Sequence, residues 1–180
     1  MTVRERLLRV NLTNRVAQIE PIGGDVQRDF VGGRGLGIRY LYDEVAPSAD
    51  PLGPANQLIF STGVLGATSA QGFSRWIVTT RSPLTHAVGR AVGGNNFGAA
   101  IKFAGFDLII VEGQSTAPAY LYIDNDSVQV LDGSELWGLD TEATQVAIQK
   151  RHGSRTQVAC IGPAGEKLVR FASIHSGRRS

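Results

Sequence analysis

The same order of short segments occurs twice along this chain of 180 residues, and the repeat limits the possible folds more than any other feature. Each copy begins with two alternating apolar runs around a turn, which predict a β-hairpin. A helical stretch, an apolar strand, a Gly-x-x-Gly turn and another strand follow. The segments are 7–19, 25–45, 58–61, 63–66 and 75–79 in the first copy, and 120–130, 141–151, 158–161, 162–165 and 168–172 in the second. Coincidence among common elements is the alternative, and the matched glycine spacing favours duplication.

The repeat predicts an α+β fold in which duplicated hairpin-helix-strand-strand units form mixed sheets with pseudo-twofold symmetry. We expect residues 1–180 to form a single domain made of two similar lobes, at about 1–80 and 106–180. A Gly-rich turn and a short helix join the lobes. This helix is predicted to begin after Asn96 as its N-cap residue and to end before Gly105.

Composition and charge exclude several classes of protein. The net charge is +2, and no basic stripe with interleaved aromatic residues indicates nucleic-acid binding. No apolar run reaches the roughly 20 residues that span a bilayer, and the first apolar stretch is too short for a signal peptide, so we expect a cytoplasmic protein. The single cysteine, Cys160, forms no internal disulfide and cannot alone hold an iron–sulfur cluster. Its apolar neighbours predict a small core residue.

Two segments are candidates for ligand binding. The turn Gly93-Gly94-Asn95-Asn96 leads into a helix at Phe97, where free backbone N–H groups suit a phosphate. A tight turn without a ligand fits these residues equally well. Arg75 stands at the mouth of a predicted strand, where a guanidinium can bind a phosphate or a heterocycle edge at two points. From the residues alone, a solvated surface arginine is the favoured alternative.

No catalytic residue and no metal ligand is identified in this sequence. The three histidines lack metal-ligand spacing, and nothing marks one serine as activated. The run GRGLG at 33–37 does not match the dinucleotide fingerprint, so we expect these glycines to serve close packing of a helix on a sheet.

Several short motifs, weak one by one, occur in a specific order over essentially the whole chain. Together they resemble the N-terminal domain of the tungsten-containing aldehyde:ferredoxin oxidoreductase family. The motifs are RVNL at 9–12, GRGL at 33–36, SPLT at 82–85, FG at 97–98, KFAGFD at 102–107, LWG at 136–138, IGPAGE at 161–166 and VRFA at 169–172.

The resemblance implies a tungsten or molybdenum ion held by two pyranopterin molecules, and a [4Fe-4S] cluster that passes electrons to ferredoxin. The family oxidises aldehydes to carboxylic acids. Its cluster cysteines and acid–base groups lie in downstream helical domains, so a chain of this length is expected to be inactive alone. Expected partners are those domains or a separate subunit carrying the cluster, ferredoxin through the complete enzyme, the aldehyde, and possible further copies in a homo-oligomer. Neither nucleic acid nor a membrane is expected.

The resemblance also assigns cofactor-binding residues. Arg75 matches a pterin-contacting arginine, and Gly94 matches a glycine whose backbone approaches the pterin. Val92 replaces a common cofactor-contacting asparagine, and Asn95 and Asn96 are the candidates to substitute for it. Arg179 and Ser180 match the start of a second pterin-binding segment. With Gly93, these residues form the expected cofactor site. Because of Val92, a non-catalytic binding or assembly subunit that retains the fold is the alternative hypothesis.

Overall fold

A computed structural model describes residues 5–177 and has a mixed six-stranded sheet as its largest element. The strand order is β2-β1-β6-β3-β4-β5, and two two-stranded ladders, β7-β8 and β9-β10, lie outside it. The strands are β1 (Arg6–Asn11), β2 (Val16–Pro21), β3 (Gln57–Thr62), β4 (Trp76–Arg81), β5 (Val88–Gly93), β6 (Leu108–Glu112), β7 (Ala119–Asp124), β8 (Ser127–Asp132), β9 (Ala159–Cys160) and β10 (His175–Ser176). The helices are α1 (Gly24–Phe30), α2 (Arg34–Glu44), α3 (Phe97–Phe103), α4 (Thr141–His152), α5 (Pro163–Glu166) and a 3-10 turn at Ser134–Leu136.

Strand β6 is the centre of the large sheet. It pairs parallel with β1 on one side and antiparallel with β3 on the other. Its first three residues, Leu108, Ile109 and Ile110, are all buried, as expected of a strand covered on both faces. The prediction of an α+β fold with mixed sheets is therefore confirmed. The large sheet also draws a central strand from the range predicted as the second lobe.

Each face of the large sheet carries its own apolar core. On one face, Leu36 and Leu41 of α2 pack against Leu7 of β1 and Ile59 of β3. On the other face, Leu8, Val10 and Ile109 pack with Ile101 of α3, with Phe106, and with half-buried apolar residues of the β7-β8 hairpin. The second half of the chain is therefore held against the first by burial of apolar surface.

The glycines at 33–37 have a packing role, as predicted. A Cβ atom on Gly37 would lie 2.6 Å from Thr79 Oγ1 on β4, and one on Gly35 would lie 2.1 Å from the Phe30 carbonyl oxygen. Only glycine allows α2 to approach the sheet and α1 this closely.

Three element predictions are wrong in detail. The single helix expected at 25–45 is two helices, because Val31 has a φ of 63° and ends α1. Strand β5 was not predicted. Residues 168–172 form a turn instead of a strand: Leu168 has a φ of 56°, and Val169 N–H donates to the Ala164 carbonyl after α5.

The Gly-x-x-Gly turn predicted at 162–165 is the short helix α5, whereas helices α3 and α4 are confirmed. Helix α4 begins after Asp140, whose side chain accepts from Ala143 N–H, and ends at Gly153 with a φ of 103°. Helix α3 lies between Asn96 and Gly105, as the glycine and asparagine positions predicted.

Among residues 5–177, no helix combines the length and apolar character needed to cross a bilayer.

Candidate functional site

Gly63, Arg75 and Gly94 lie in one row at one edge of the large sheet. The register pairs Thr62 with Trp76, and Trp76 with Gly93, across β3, β4 and β5. The residues one step beyond these three positions are Gly63, Arg75 and Gly94. Neighbouring strands are about 4.8 Å apart, so the row spans on the order of 10 Å. The sheet therefore brings Arg75 next to the glycine turn predicted to bind a ligand.

Trp76 fixes the position of this turn. A Cβ atom on Gly93 would lie 2.2 Å from the indole Cε2 atom of Trp76, so the ring lies directly against the glycine backbone. The indole N–H donates to the Gly94 carbonyl oxygen at 3.0 Å. The Trp76 ring also meets Phe97 edge-on, with ring centroids 5.0 Å apart. The buried side chain of Trp76 thus fixes the position of the Gly94 backbone next to Arg75.

Asn95 connects the turn with a segment far along the chain. Its φ is 76°, its side-chain oxygen accepts from Phe97 N–H at 2.8 Å, and its amide donates to the Ser176 carbonyl at 2.5 Å. Asn96 occupies the N-cap position, as predicted, but its side chain makes no capping hydrogen bond. Asn95 therefore caps α3 and holds Ser176 and Gly177 beside the turn.

Helix α3 lies close to the backbone that precedes Arg75. A Cβ atom on Gly98 would be 2.7 Å from the Ser74 carbonyl oxygen and 3.3 Å from the Arg75 carbonyl carbon. This contact requires glycine at position 98, and it places the first turn of α3 beside Arg75.

Gly94 itself faces open space. A Cβ atom built on Gly94 meets no heavy atom within 4 Å, and its φ lies outside the left-handed region. The same holds for Gly63. Neither protein packing nor backbone conformation therefore requires glycine at these two positions. Gly63 was missed as a site residue, although the Gly-x-x-Gly turn at the end of β3 was visible in the sequence.

The Arg75 side chain, in the same row, is exposed. Within residues 5–177 it forms no ion pair or hydrogen bond. Arg9, in contrast, is bound to Glu20, Glu44 and Glu112, and Arg151 pairs with Glu135. The Arg75 guanidinium thus keeps its donors available for an anionic or heterocyclic ligand.

A buried ion pair lies next to the same edge of the sheet and contacts the end of β3. Lys102 of α3 pairs with Asp107, and their side chains are 10% and 4% exposed. The Asp107 carbonyl accepts from Thr62 N–H at 3.0 Å, at the end of β3. Lys102 also packs 3.5 Å from the Cβ position of Gly66, at the far end of the turn that begins at Gly63. The pair ties α3 to the turn at Gly63.

The structure thus brings together Arg75, Gly93, Gly94, Asn95 and Asn96. Arg179 and Ser180 lie outside the described residues, two and three positions after Gly177. Val92 is 42% exposed on β5, opposite Ile77.

Histidine, cysteine and acidic side chains are the other potential ligands. Among residues 5–177, no cluster of three or more histidine, cysteine or acidic side chains is arranged to hold a metal ion. Cys160 is half-buried on β9, and burial raises the pKa of its thiol. His152 stacks on Tyr122 and shares a hydrogen bond with Tyr120 at 3.0 Å, so it is part of the packing beside α4.

The fold and this glycine-lined edge define a class of protein: the N-terminal domain of aldehyde ferredoxin oxidoreductase, whose sequence pattern matches residues 7–180. The chain belongs to this family. It is 47% identical over 177 residues to the tungsten-containing aldehyde ferredoxin oxidoreductase of Thermococcus kodakarensis, covering 97% of this chain and 29% of the relative. The corresponding protein of Pyrococcus furiosus is 42% identical over the same share of both chains.

More divergent relatives have the same domain. The WOR-like subunit of an aliphatic sulfonate oxidoreductase from Pyrococcus furiosus is 32% identical over 94% of this chain and 29% of its own length. Among solved structures, the active-site complex BamBC of benzoyl coenzyme A reductase, in complex with 1,5-dienoyl-CoA, superposes with a TM-score of 0.95. That match has 38% identity and covers 97% of this chain and 27% of the other. The chain thus spans less than a third of the relatives it matches.

Proposed function

We propose that residues 1–180 are the domain that binds a tungsten or molybdenum bis-pyranopterin in an oxidoreductase converting aldehydes to carboxylic acids, with ferredoxin as electron acceptor. The observation that carries the proposal is the row of Gly63, Arg75 and Gly94, because no contact among residues 5–177 requires glycine at two of its positions. Relatives that are named tungsten-containing proteins support tungsten as the metal.

The residues at this edge fit a pterin cofactor. Arg75 would bind its anionic or heterocyclic part through two parallel N–H donors. Gly93 and Gly94 would let the backbone approach the flat ring system, and Asn95 holds that backbone in place by its bonds to Phe97 and Ser176. Arg179 and Ser180 are proposed to complete the site. When bound, the cofactor supplies the two-electron redox chemistry, and the protein supplies binding and orientation.

The proposed enzyme needs more than this chain. A [4Fe-4S] cluster takes four thiolates, and the chain has one cysteine, which is half-buried. The cluster, the acid–base groups and the ferredoxin contact are therefore proposed for the downstream part of the protein or a separate subunit. The chain alone is expected to be inactive.

Replacement of Arg75 in the full-length protein tests the proposal. We expect Arg75→Ala to retain roughly ten- to a hundredfold less tungsten and pterin after dialysis against a chelator, because a charge-assisted hydrogen bond contributes about 1.5–3 kcal/mol. Arg75→Lys is expected to recover only part of the loss, since lysine lacks the two-point geometry. Metal analysis and pterin fluorescence after acid release are the measurements.

Arg28→Ala is the matched control, because it removes the same charge from an arginine on α1 that is 69% exposed and paired with Asp25 and Asp29. Equal cofactor content in the Arg75 and Arg28 variants would contradict the proposed role of Arg75.

A second candidate function is a non-catalytic binding or assembly subunit. The observation that favours it is Val92, an exposed apolar side chain where the family commonly has asparagine. The Asn95 amide is already bonded to Ser176, which leaves Asn96 as the candidate to replace that contact. A full-length protein purified without tungsten or pterin, after expression with tungstate, would favour this second candidate.

A further inference from the structure

The ion pair between Lys102 and Asp107 is almost completely shielded from solvent. Its two side chains are 10% and 4% exposed, whereas Arg9 and its three glutamate partners are each 18–36% exposed. Moving two charges from water into such a site costs free energy that their attraction only partly returns. Apolar side chains of similar volume are often equally stabilising or more so. Stability alone therefore does not explain a charged pair at this position.

The carboxylate of Asp107 is also incompletely hydrogen-bonded. Among residues 5–177, its second oxygen, Oδ2, is buried and has no hydrogen-bond partner. A buried acceptor without a partner opposes folding. The protein thus keeps a charged group whose contribution to stability is reduced twice, once by burial and once by this oxygen. The contacts that the pair makes with its surroundings offer a different explanation.

The backbone of Asp107 holds the residue that precedes Gly63 in the row. The Asp107 carbonyl accepts hydrogen bonds from the backbone N–H of Thr62 at 3.0 Å and from the Thr62 hydroxyl at 3.3 Å. The Asp107 N–H donates to the Arg6 carbonyl at 2.9 Å. Asp107 is therefore fixed in the sheet on both sides, directly beside the end of β3.

Lys102 belongs to α3 and follows the turn that begins at Gly63. Its Cγ atom lies 3.5 Å from the Cβ position of Gly66, whose N–H donates to the Gly63 carbonyl at 2.9 Å. Near the start of the same helix, a Cβ atom on Gly98 would be 3.3 Å from the Arg75 carbonyl carbon. The ion pair therefore anchors a helix that contacts both the turn at Gly63 and the backbone of Arg75.

We propose that Lys102 and Asp107 are positioning residues of the cofactor site, because their ion pair sets the placement of Gly63 relative to Arg75. This inference rests on the proposed function. Both side chains are too deeply buried to meet a ligand at the surface, so they act through the backbone that they hold. The apolar cores on the two faces of the sheet hold the fold together without them. Loss of the pair would loosen the row and leave the sheet intact.

A double substitution in the full-length protein tests the inference without leaving one buried charge unpaired. Lys102→Met/Asp107→Asn removes both charges and keeps the approximate size of both side chains. We expect an unchanged melting temperature. We also expect tungsten and pterin to be lost to a chelator roughly ten- to a hundredfold faster, as is typical when residues that orient a binding site from behind are replaced. Metal analysis and pterin fluorescence over time are the measurements.

Hydrogen exchange measures the placement of the row without the cofactor. Parent and double variant would be produced without tungstate or molybdate, and we expect peptides covering 62–68 and 95–101 to exchange about tenfold faster in the variant. Exchange in β1 is expected to stay the same. No change in these two peptides, or an equal increase over the whole sheet, would overturn the inference.

Arg39→Met/Asp43→Asn is the matched control, because it removes the same two charges from a pair on α2 whose side chains are each 37% exposed. It is expected to keep the cofactor as long as the parent does. Equal rates of cofactor loss in the two double variants would overturn the inference while the proposed function stands. A parent protein that contains neither tungsten nor pterin would instead overturn the proposed function, and the positioning role with it.

Discussion

Two adjacent glycines at the candidate site have opposite surroundings. A side chain on Gly93 would overlap the Trp76 ring, whereas a side chain on Gly94 would stand in open space. Gly93 is therefore explained by packing. Gly94 is explained only if something outside the described residues comes close to it. Substitution of these two neighbours separates stability from ligand binding.

We expect Gly94→Ala to leave the free energy of unfolding within about 0.5 kcal/mol of the parent, because no contact is disturbed. In the full-length protein, the same change is expected to lower tungsten and pterin content, since the added methyl group occupies the space proposed for the cofactor. Urea denaturation and metal analysis are the measurements.

Gly93→Ala is the control for that prediction. Its methyl group displaces Trp76 and costs about 1–3 kcal/mol of unfolding free energy. A Gly94→Ala protein with full cofactor content would show that the open space is not used by the cofactor.

The sequence identified Arg75 and the turn at 93–96, which the fold brings together, but it did not show what holds each residue in place. Asn96 was expected to cap α3, yet Asn95 provides the capping oxygen, because a left-handed residue turns its side chain toward Phe97 N–H. The bond from Asn95 to Ser176 joins residues 81 positions apart, and no local pattern predicts such a contact. Gly63 was missed because its place in the row depends on strand register.

Among the elements, β1 is joined to its neighbours by a cluster of charges around Arg9. The guanidinium contacts Glu20 of β2 at 3.0 Å, Glu44 of α2 at 2.8 Å and Glu112 of β6 at 3.3 Å. Burial by itself would raise the pKa of Glu44, but its hydrogen bonds with Arg9 and Gln57 outweigh that effect, and the pKa of Glu44 is lowered. The hydrogen bonds from Arg9 to Glu44 and Glu20 raise the pKa of Arg9.

The lowered pKa of Glu44 predicts a pH dependence of stability. A carboxylate with a lower pKa in the folded state stabilises the protein above its unfolded value of 4.5, and this contribution is lost as the pH falls through the folded value. We expect Glu44→Gln to flatten the decrease in unfolding free energy below pH 4.5, measured by urea denaturation across that range.

Asp43→Asn is the control for this change, because Asp43 pairs with Arg39 at the surface, where each side chain is 37% exposed. An acid response that is the same in the Glu44 variant as in the parent would refute the assignment.

The elements that the sequence predicted are those whose pattern is local. Hairpin β1-β2 and helix α4 follow from alternation and capping. Strand β5 was missed because Gly89 and Gly93 weaken its strand pattern, and its pairing with β4 compensates for them. At 168–172 the alternating apolar residues predicted a strand, but Leu168 and Phe171 are exposed, because within the described residues no neighbouring strand pairs with them.

At the scale of the whole molecule, the two halves share one core through Phe106. This side chain is 1% exposed and packs with Leu8, Val10, Ile101 and Ile109, next to the β7-β8 hairpin. We expect Phe106→Ala to cost about 3–5 kcal/mol. Because the core is shared, we expect hydrogen exchange of this variant to show that the free energy of opening decreases in both β3 and α4. A loss confined to β3 would indicate that the halves unfold separately.

The hydrogen bond between Asn95 and Ser176 has a consequence for the order of events during synthesis. The row at the sheet edge needs β3, β4 and β5, which end at residue 93, but the hydrogen bond from Asn95 needs the carbonyl of Ser176, 81 positions after Asn95. A nascent chain therefore contains these three strands long before it can form the hydrogen bond between Asn95 and Ser176. Any molecule that requires the turn to be held by this bond has to bind after position 176 has left the ribosome.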